Sequence, residues 1–291
     1  MTQAVQFLEY VPCQNLEIAD DWKTLFSLDA IASRKPSQEA LRRLCVDIRK
    51  LHKQPVPGIG VRAASHHMLA GVFVVPDSSS VTRVHALIVG PTDTPYEQGL
   101  FYFQIEIPDN CPHSPPEVRL ITTDGGCVKF NPNLHKDGRV CLSLLGPQWS
   151  SVLSLSNILL SIQSLLNEQP YTNEPGYEGR ARTRYVATPP IQQTRREATD
   201  YNECVAHETL RVAVLEMCDP ETTLHASLPE ELREMAKTIF LSSVALYTAK
   251  CDERLHMDGA VMFDPFGEDR GKFQYKLIRE RLTKLEAKLS L

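Results

Sequence analysis

Cys141 lies eight residues after Asn133 and six after His135 in the stretch FNPNLHKDGRVCLSLL, Phe130 to Leu145. A thiol in such a setting is a candidate nucleophile, because a thiolate attacks activated carbonyls and carries acyl groups. Asn133 brings a carboxamide close enough to fold back over that thiol. His135 opens a rival reading as the base of a cysteine hydrolase, and its plainer reading is an exposed loop histidine. The chain around these groups is held tight. Pro132 fixes its own φ and pushes Asn131 away from helix. The amides of Asn131 and Asn133 favour local bonds to backbone, and Asp137-Gly138 adds a second turn.

The rest of the chain narrows the possible chemistry. At 291 residues with 42% hydrophobic content, it can bury one large core or one core plus a helical addition. Lys and Arg number 31 against 36 Asp and Glu, a net charge of -5, so no cationic surface suited to nucleic acid is expected. No apolar run reaches the length of a membrane span, and the N-terminus has no secretory pattern. The eight cysteines include no C-x-x-C pair. That pattern predicts reduced thiols in the cytoplasm or nucleus, most of them small core residues, with neither a disulfide framework nor a bound metal.

The elements that must position the site follow from periodicity. Ser37 is a candidate N-cap for a helix to His52, with Leu41, Leu44, Cys45, Ile48 and Leu51 on one face. Arg42, Arg43, Arg49 and Lys50 lie on the opposite face, which reads first as a solvated one. A short helix is expected near residues 20–31 and an irregular stretch over 57–71. Four strand signals come next, at Val72–Val75, Arg83–Val89, Leu100–Ile107 and Glu117–Ile121, joined by proline-rich links as an antiparallel meander. Beyond the cysteine, Ser154–Asn167 predicts a helix packed across the sheet. Residues 178–199, with five arginines and two adjacent prolines, read as a surface loop. Helices are expected at Tyr201–Met217, Pro229–Leu255 and Gln274–Leu289, with Met262–Gly267 packing as an aromatic plug. The fold class is α+β, divided into an N-terminal extension (1–35), a core (36–200) and a helical extension (201–291).

Several of these features recur together at matching spacing. Gly90-Pro91 through Thr94-Pro95-Tyr96-Glu97 and Gly99, then Pro112 with Pro115-Pro116, then Asn131-Pro132-Asn133, Gly138-Arg139-Val140-Cys141-Leu142 and Trp149-Ser150 resemble the ordered motifs of the ubiquitin-conjugating enzymes. Tyr201-Asn202-Glu203-Cys204 with His207-Glu208-Thr209, and Asp264-Pro265-Phe266-Gly267-Glu268, are similar to its large, C-terminally extended members. The resemblance implies the family fold. It also implies a Cys141 thioester with ubiquitin or a ubiquitin-like modifier, delivered by an activating enzyme and passed to a substrate lysine or a ligase. No cofactor is implied, since ATP is consumed upstream by the activating enzyme.

The residue roles that the resemblance implies are specific. Asn133 would donate its amide N–H to the oxyanion, and Asn173 or Glu174 would orient the attacking lysine. Asn131 stands where the family signature has histidine, so with Pro132 an amide must brace the loop. Arg42, Arg43, Arg49 and Lys50 gain a second reading as a docking surface for activating enzyme and ligase. His113 and Ser151 stand where many members carry ligase-contacting residues of other types. Readings outside this one are a catalytically impaired ubiquitin-binding variant, or the hydrolase that would use Cys141 and His135.

Overall fold

The computed structural model describes residues 37–53, 71–177 and 189–290, with side chains for 37–48, 71–177 and 196–290. The expected helix at 20–31, residues 57–70 and 178–188, and the side chains of Arg49 and Lys50 lie outside the described residues.

Helix α1, Gln38–Lys53, starts where Ser37 Oγ accepts the Ala40 N–H at 3.0 Å. Four strands follow: β1 Val72–Pro76, β2 Arg83–Val89, β3 Leu100–Glu106 and β4 Glu117–Leu120. They form one antiparallel sheet in chain order, with Val72 opposite Ile88, Ala86 opposite Phe103, and Phe103 opposite Leu120. Helix α2, Leu155–Leu165, is opened by a capping box in which Ser154 and Asn157 satisfy each other's backbone N–H groups.

Alternation along the strands sends side chains to two interiors. Val72, Val74, Val84, Ala86, Ile88, Phe101 and Phe103 face Leu44 and Ile48 of α1 and Leu155, Ile158, Leu159 and Ile162 of α2. Phe73, Val75, Leu87, Val89, Leu100 and Tyr102 face the C-terminal helices. Burial on both sides is why β1 and β3 read as nearly continuous apolar runs and not as an alternating pattern.

The second layer is helical. Helix α3, Pro189–Glu208, continues into a wider π-helical stretch, Thr209–Glu216. The short α4, Thr223–Ala226, and then α5, Glu230–Glu253, and α6, Tyr275–Leu289, complete it. Two sequence expectations change here. Residues 189–199 are helical and not a surface loop, because adjacent prolines at the first helical positions are compatible with helix and start it. The helix expected to start at Tyr201 therefore starts earlier, at Pro189. Among the described residues, no helix is long and apolar enough to cross a membrane.

Candidate active site

Two glycines fix the turns behind the site. At Gly90 a Cβ would lie 1.8 Å from the Tyr96 carbonyl oxygen, so only glycine lets that turn close. The closure buries Tyr96, whose hydroxyl donates to the Phe130 carbonyl at 2.8 Å. Gly138 has φ +89° and would bring a Cβ within 2.7 Å of the Leu120 oxygen, so the Asp137-Gly138 turn can sit directly on β4. Asp137 tightens it by accepting the Arg139 backbone and guanidinium N–H groups, which hold its carboxyl below the usual range.

The brace expected at Asn131 is an amide with every polar atom in use. Asn131 is 0% exposed. Its Nδ2 donates to the Tyr96 hydroxyl at 2.9 Å and to the Leu165 carbonyl at 2.8 Å, while its Oδ1 accepts from the Asn133 N–H at 3.0 Å and from Asn173 Nδ2 at 3.3 Å. One carboxamide thus ties the loop to β3's leading turn, to the end of α2 and to the segment after it. Asn131→Ala leaves the Asn133 N–H without its acceptor and opens a void. An unsatisfied buried donor costs about 1–3 kcal/mol, and with the void we expect a loss of roughly 2–4 kcal/mol, read as a lower thermal midpoint by circular dichroism. An unchanged midpoint would show that the loop is braced elsewhere.

From that anchor the loop delivers Cys141 to the surface, where its thiol is exposed. Asn133 and Cys141 are joined twice. The Cys141 N–H donates to the Asn133 carbonyl at 2.8 Å, and Asn133 Nδ2 donates to the Cys141 carbonyl at 3.0 Å. The carboxamide therefore lies along the peptide of Cys141, bonded to its carbonyl. A primary amide nitrogen carries two hydrogens, and among the described residues the second has no acceptor.

The other expected residues separate in the structure. Asn173 is drawn inward, donating to Asn131 and Leu165 and accepting from Asn167 Nδ2 at 2.9 Å. Glu174, next along, is only partly buried and has no side-chain hydrogen bond among the described residues. Its charge is felt at His135, whose imidazole is nevertheless held below its ordinary value by burial and by Lys129 and Arg139. Among the described residues His135 makes no hydrogen bond to Cys141; its backbone closes the turn with Arg139 and Gly138.

Arg43 departs from its expected place. Its guanidinium turns off the outer face, pairs with Asp47, and donates to the carbonyls of Ser151, Val152 and Leu153. Asp47 in turn accepts the Leu155 N–H at 3.1 Å, so the pair locks α1 to the loop after the cysteine and to the start of α2. The four-residue spacing of Arg43 and Asp47 was a readable sign of this pairing. Arg42, His113 and Ser151 are exposed. Trp149 Nε1 donates to the Pro112 carbonyl at 2.9 Å, bringing the loops that carry His113 and Ser151 together.

Residues outside the predicted set also hold the site. Arg270 and Asp264 form a buried ion pair at 2.5 Å, and Arg270 Nη2 donates to the Lys129 carbonyl at 2.8 Å, just ahead of the loop. Burial pushes Cys204 and Cys251 up to about 12, which keeps them protonated and inert at neutral pH. Among the described residues no cluster of three or more His, Cys, Asp or Glu side chains is placed to hold a metal ion.

A meander crossed by α2, a proline-braced loop and an exposed cysteine define a class, and the chain belongs to it: residues 43–197 match the ubiquitin-conjugating enzyme family. It is therefore a ubiquitin-conjugating transferase, of the class that works with ubiquitin, activating enzymes and ligases. The likeness extends beyond the core. Ubiquitin-conjugating enzyme E2 Z of Danio rerio is 41% identical over 275 residues, covering 93% of this chain and 75% of that protein. The Homo sapiens E2 Z is 40% identical over 272 residues, 92% of this chain and 68% of that protein. A 159-residue match, 50% of this chain, is 43% identical to 3% of the human dual E2 ubiquitin-conjugating enzyme/E3 ubiquitin-protein ligase BIRC6.

Proposed function

We propose that the chain accepts ubiquitin or a ubiquitin-like modifier as a thioester on Cys141 and passes it to a substrate lysine or a ligase. The observation that carries this reading is an exposed thiol bonded through its own peptide to Asn133, whose amide keeps one N–H uncommitted. In the first step the Cys141 thiolate attacks the thioester carbonyl on the activating enzyme, and that enzyme's thiolate leaves. Thiol exchanges for thiol, so the step is close to isoenergetic and needs no dedicated base. In the second step an amine attacks the Cys141 thioester, the oxyanion forms beside Asn133, and collapse expels the Cys141 thiolate. Glu174, carboxylate-bearing and uncommitted among the described residues, serves to orient the lysine and take its proton, and Asn173 braces the wall it stands on. His135 is not needed as a base in either step.

Partner docking follows the same geometry. Arg42 on α1 and His113 and Ser151 on the two joined loops are exposed and available to activating enzyme and ligase, while Arg43 acts from within by holding α1 to the second loop. No cofactor enters either step, and ATP is consumed upstream. The cytoplasm or nucleus is the compartment where reduced thiols of this kind would work.

Incubation with a ubiquitin-activating enzyme, ATP and ubiquitin is expected to give an adduct on gels that reductant removes. Runs with alternative activating enzymes and ubiquitin-like modifiers then select among modifiers. Release of free product from a ubiquitin thioester, with no adduct and no transfer, would favour a hydrolase.

A further inference from the structure

We infer that the turn Asp264–Arg270, which belongs to the C-terminal extension, sets the spacing between the two walls of the acceptor-lysine site, making Phe266 and Arg270 positioning residues for aminolysis. The inference rests on the reading of Cys141 as the thioester carrier. One wall is the loop that bears Asn133 and Cys141. The turn grips it at its origin, where Arg270 donates to the Lys129 carbonyl, and along its length, where Lys136 pairs with Glu268 at 3.0 Å. The other wall is the segment Pro170–Tyr177, which carries Glu174. The turn grips that too, because the Phe266 ring stacks on Tyr171 at 5.4 Å and meets Tyr177 edge-on at 5.8 Å. Tyr171 and Tyr177 stand three residues on either side of Glu174.

Phe266 and Arg270 are themselves fixed by one ring. Phe266 packs edge-on against Tyr201 at 5.1 Å, and the Arg270 guanidinium lies 5.6 Å from the centre of the same ring. Asp264, 0% exposed at its side chain, neutralises Arg270 so that the charge can be buried. Side chains of the turn thus contact both the loop that carries Cys141 and the segment that carries Glu174. Cys141 itself is exposed, and none of these contacts is made through it.

The steps should therefore separate. Charging places a sulfur nucleophile on an exposed carbonyl and makes no use of the distance between Glu174 and the Cys141 loop. Aminolysis forms a C–N bond, breaks the C–S bond and sends the amine proton to Glu174 or solvent, and it depends on that distance. Hydroxylamine supplies an internal control, since it is already neutral near pH 7 and attacks without a carboxylate.

The test is single-turnover discharge of the charged full-length chain to free lysine and to hydroxylamine, alongside the rate of charging. Phe266→Ala is expected to slow lysine discharge roughly 10- to 100-fold, with charging and hydroxylamine discharge within about twofold of the unaltered chain. Phe266→Tyr, which keeps the ring, should restore most of the lysine rate. Lysine discharge at the unaltered rate overturns the inference, as does an equal slowing of all three reactions. If Phe266→Ala loses its native circular dichroism, Arg270→Lys carries the test by the same criteria, because it keeps the charge on Asp264 and shortens the reach to Lys129. Failure of the unaltered chain to form a Cys141-dependent adduct would instead overturn the thioester reading, and this inference with it.

Discussion

Cys141→Ser is expected to replace a fast, reductant-sensitive ubiquitin adduct with a slow one that survives reductant, and Cys141→Ala to leave no adduct at all. The reasoning is one of acidity and bond type. A thiol is a few per cent ionised at neutral pH, whereas a serine hydroxyl is ionised negligibly, so attack slows sharply. An oxyester, once formed, resists thiol exchange. Cys127 is the natural control, because it is the other cysteine that is exposed among the described residues. Cys111 is buried, and burial raises its thiol above the ordinary value. If Cys127→Ser or Cys111→Ser abolished charging while Cys141→Ser did not, the assignment of the nucleophile would be wrong.

Asn133→Ala is expected to slow lysine discharge by about 10²- to 10³-fold, the scale of losing one oxyanion donor, with far less effect on charging. The asymmetry comes from the two nucleophiles. Thiol–thioester exchange has a good nucleophile and an equally good leaving group, so its tetrahedral intermediate is short-lived. An amine must shed a proton that a free lysine holds with a pKa of about 10.4, and its intermediate needs more support. Asn133→Asp sharpens the test. A carboxylate of nearly the same size cannot donate and would face the oxyanion with like charge, so it should be slower than alanine. Parallel loss of charging and discharge would mean that Asn133 acts only by holding the Cys141 carbonyl, through the 3.0 Å bond already present.

The parts of this molecule that were legible in its sequence are those whose causes are local. Ser37 announces α1, Ser154 announces α2, and proline- and glycine-rich links bound each strand, so the order of these elements and the meander follow from neighbouring residues. The Asn-Pro-Asn loop was legible for the same reason, since Pro132 and Gly138 impose their backbone shapes wherever they stand. What escaped were long-range pairings of single side chains. Nothing near Arg43 reveals that its guanidinium will cap three carbonyls more than a hundred residues away, and nothing near Arg270 points to Lys129. The choice between Asn173 and Glu174 could not be made from spacing either. In the structure the two differ in their bonds: Asn173 is tied inward to Asn131 and Leu165, and Glu174 has no side-chain hydrogen bond among the described residues. Pro189-Pro190 misled in the opposite sense, because the same dipeptide that interrupts a helix also begins one.

The continuous apolar runs of β1 and β3 carry one more meaning. Phe73, Val75, Leu87, Val89, Leu100 and Tyr102 form a wall whose cover is supplied by residues beyond 200. A protein engineer who trimmed the chain to its family-matching core, residues 43–197, would be left with a sheet wet on a face whose side chains were chosen for an interior, with Lys129 and Tyr171 stripped of the turn that backs them. The segment that carries the chemistry and the unit that can be cut, fused or transplanted are different objects in this protein, and a chimera that keeps the site intact has to keep the extension with it.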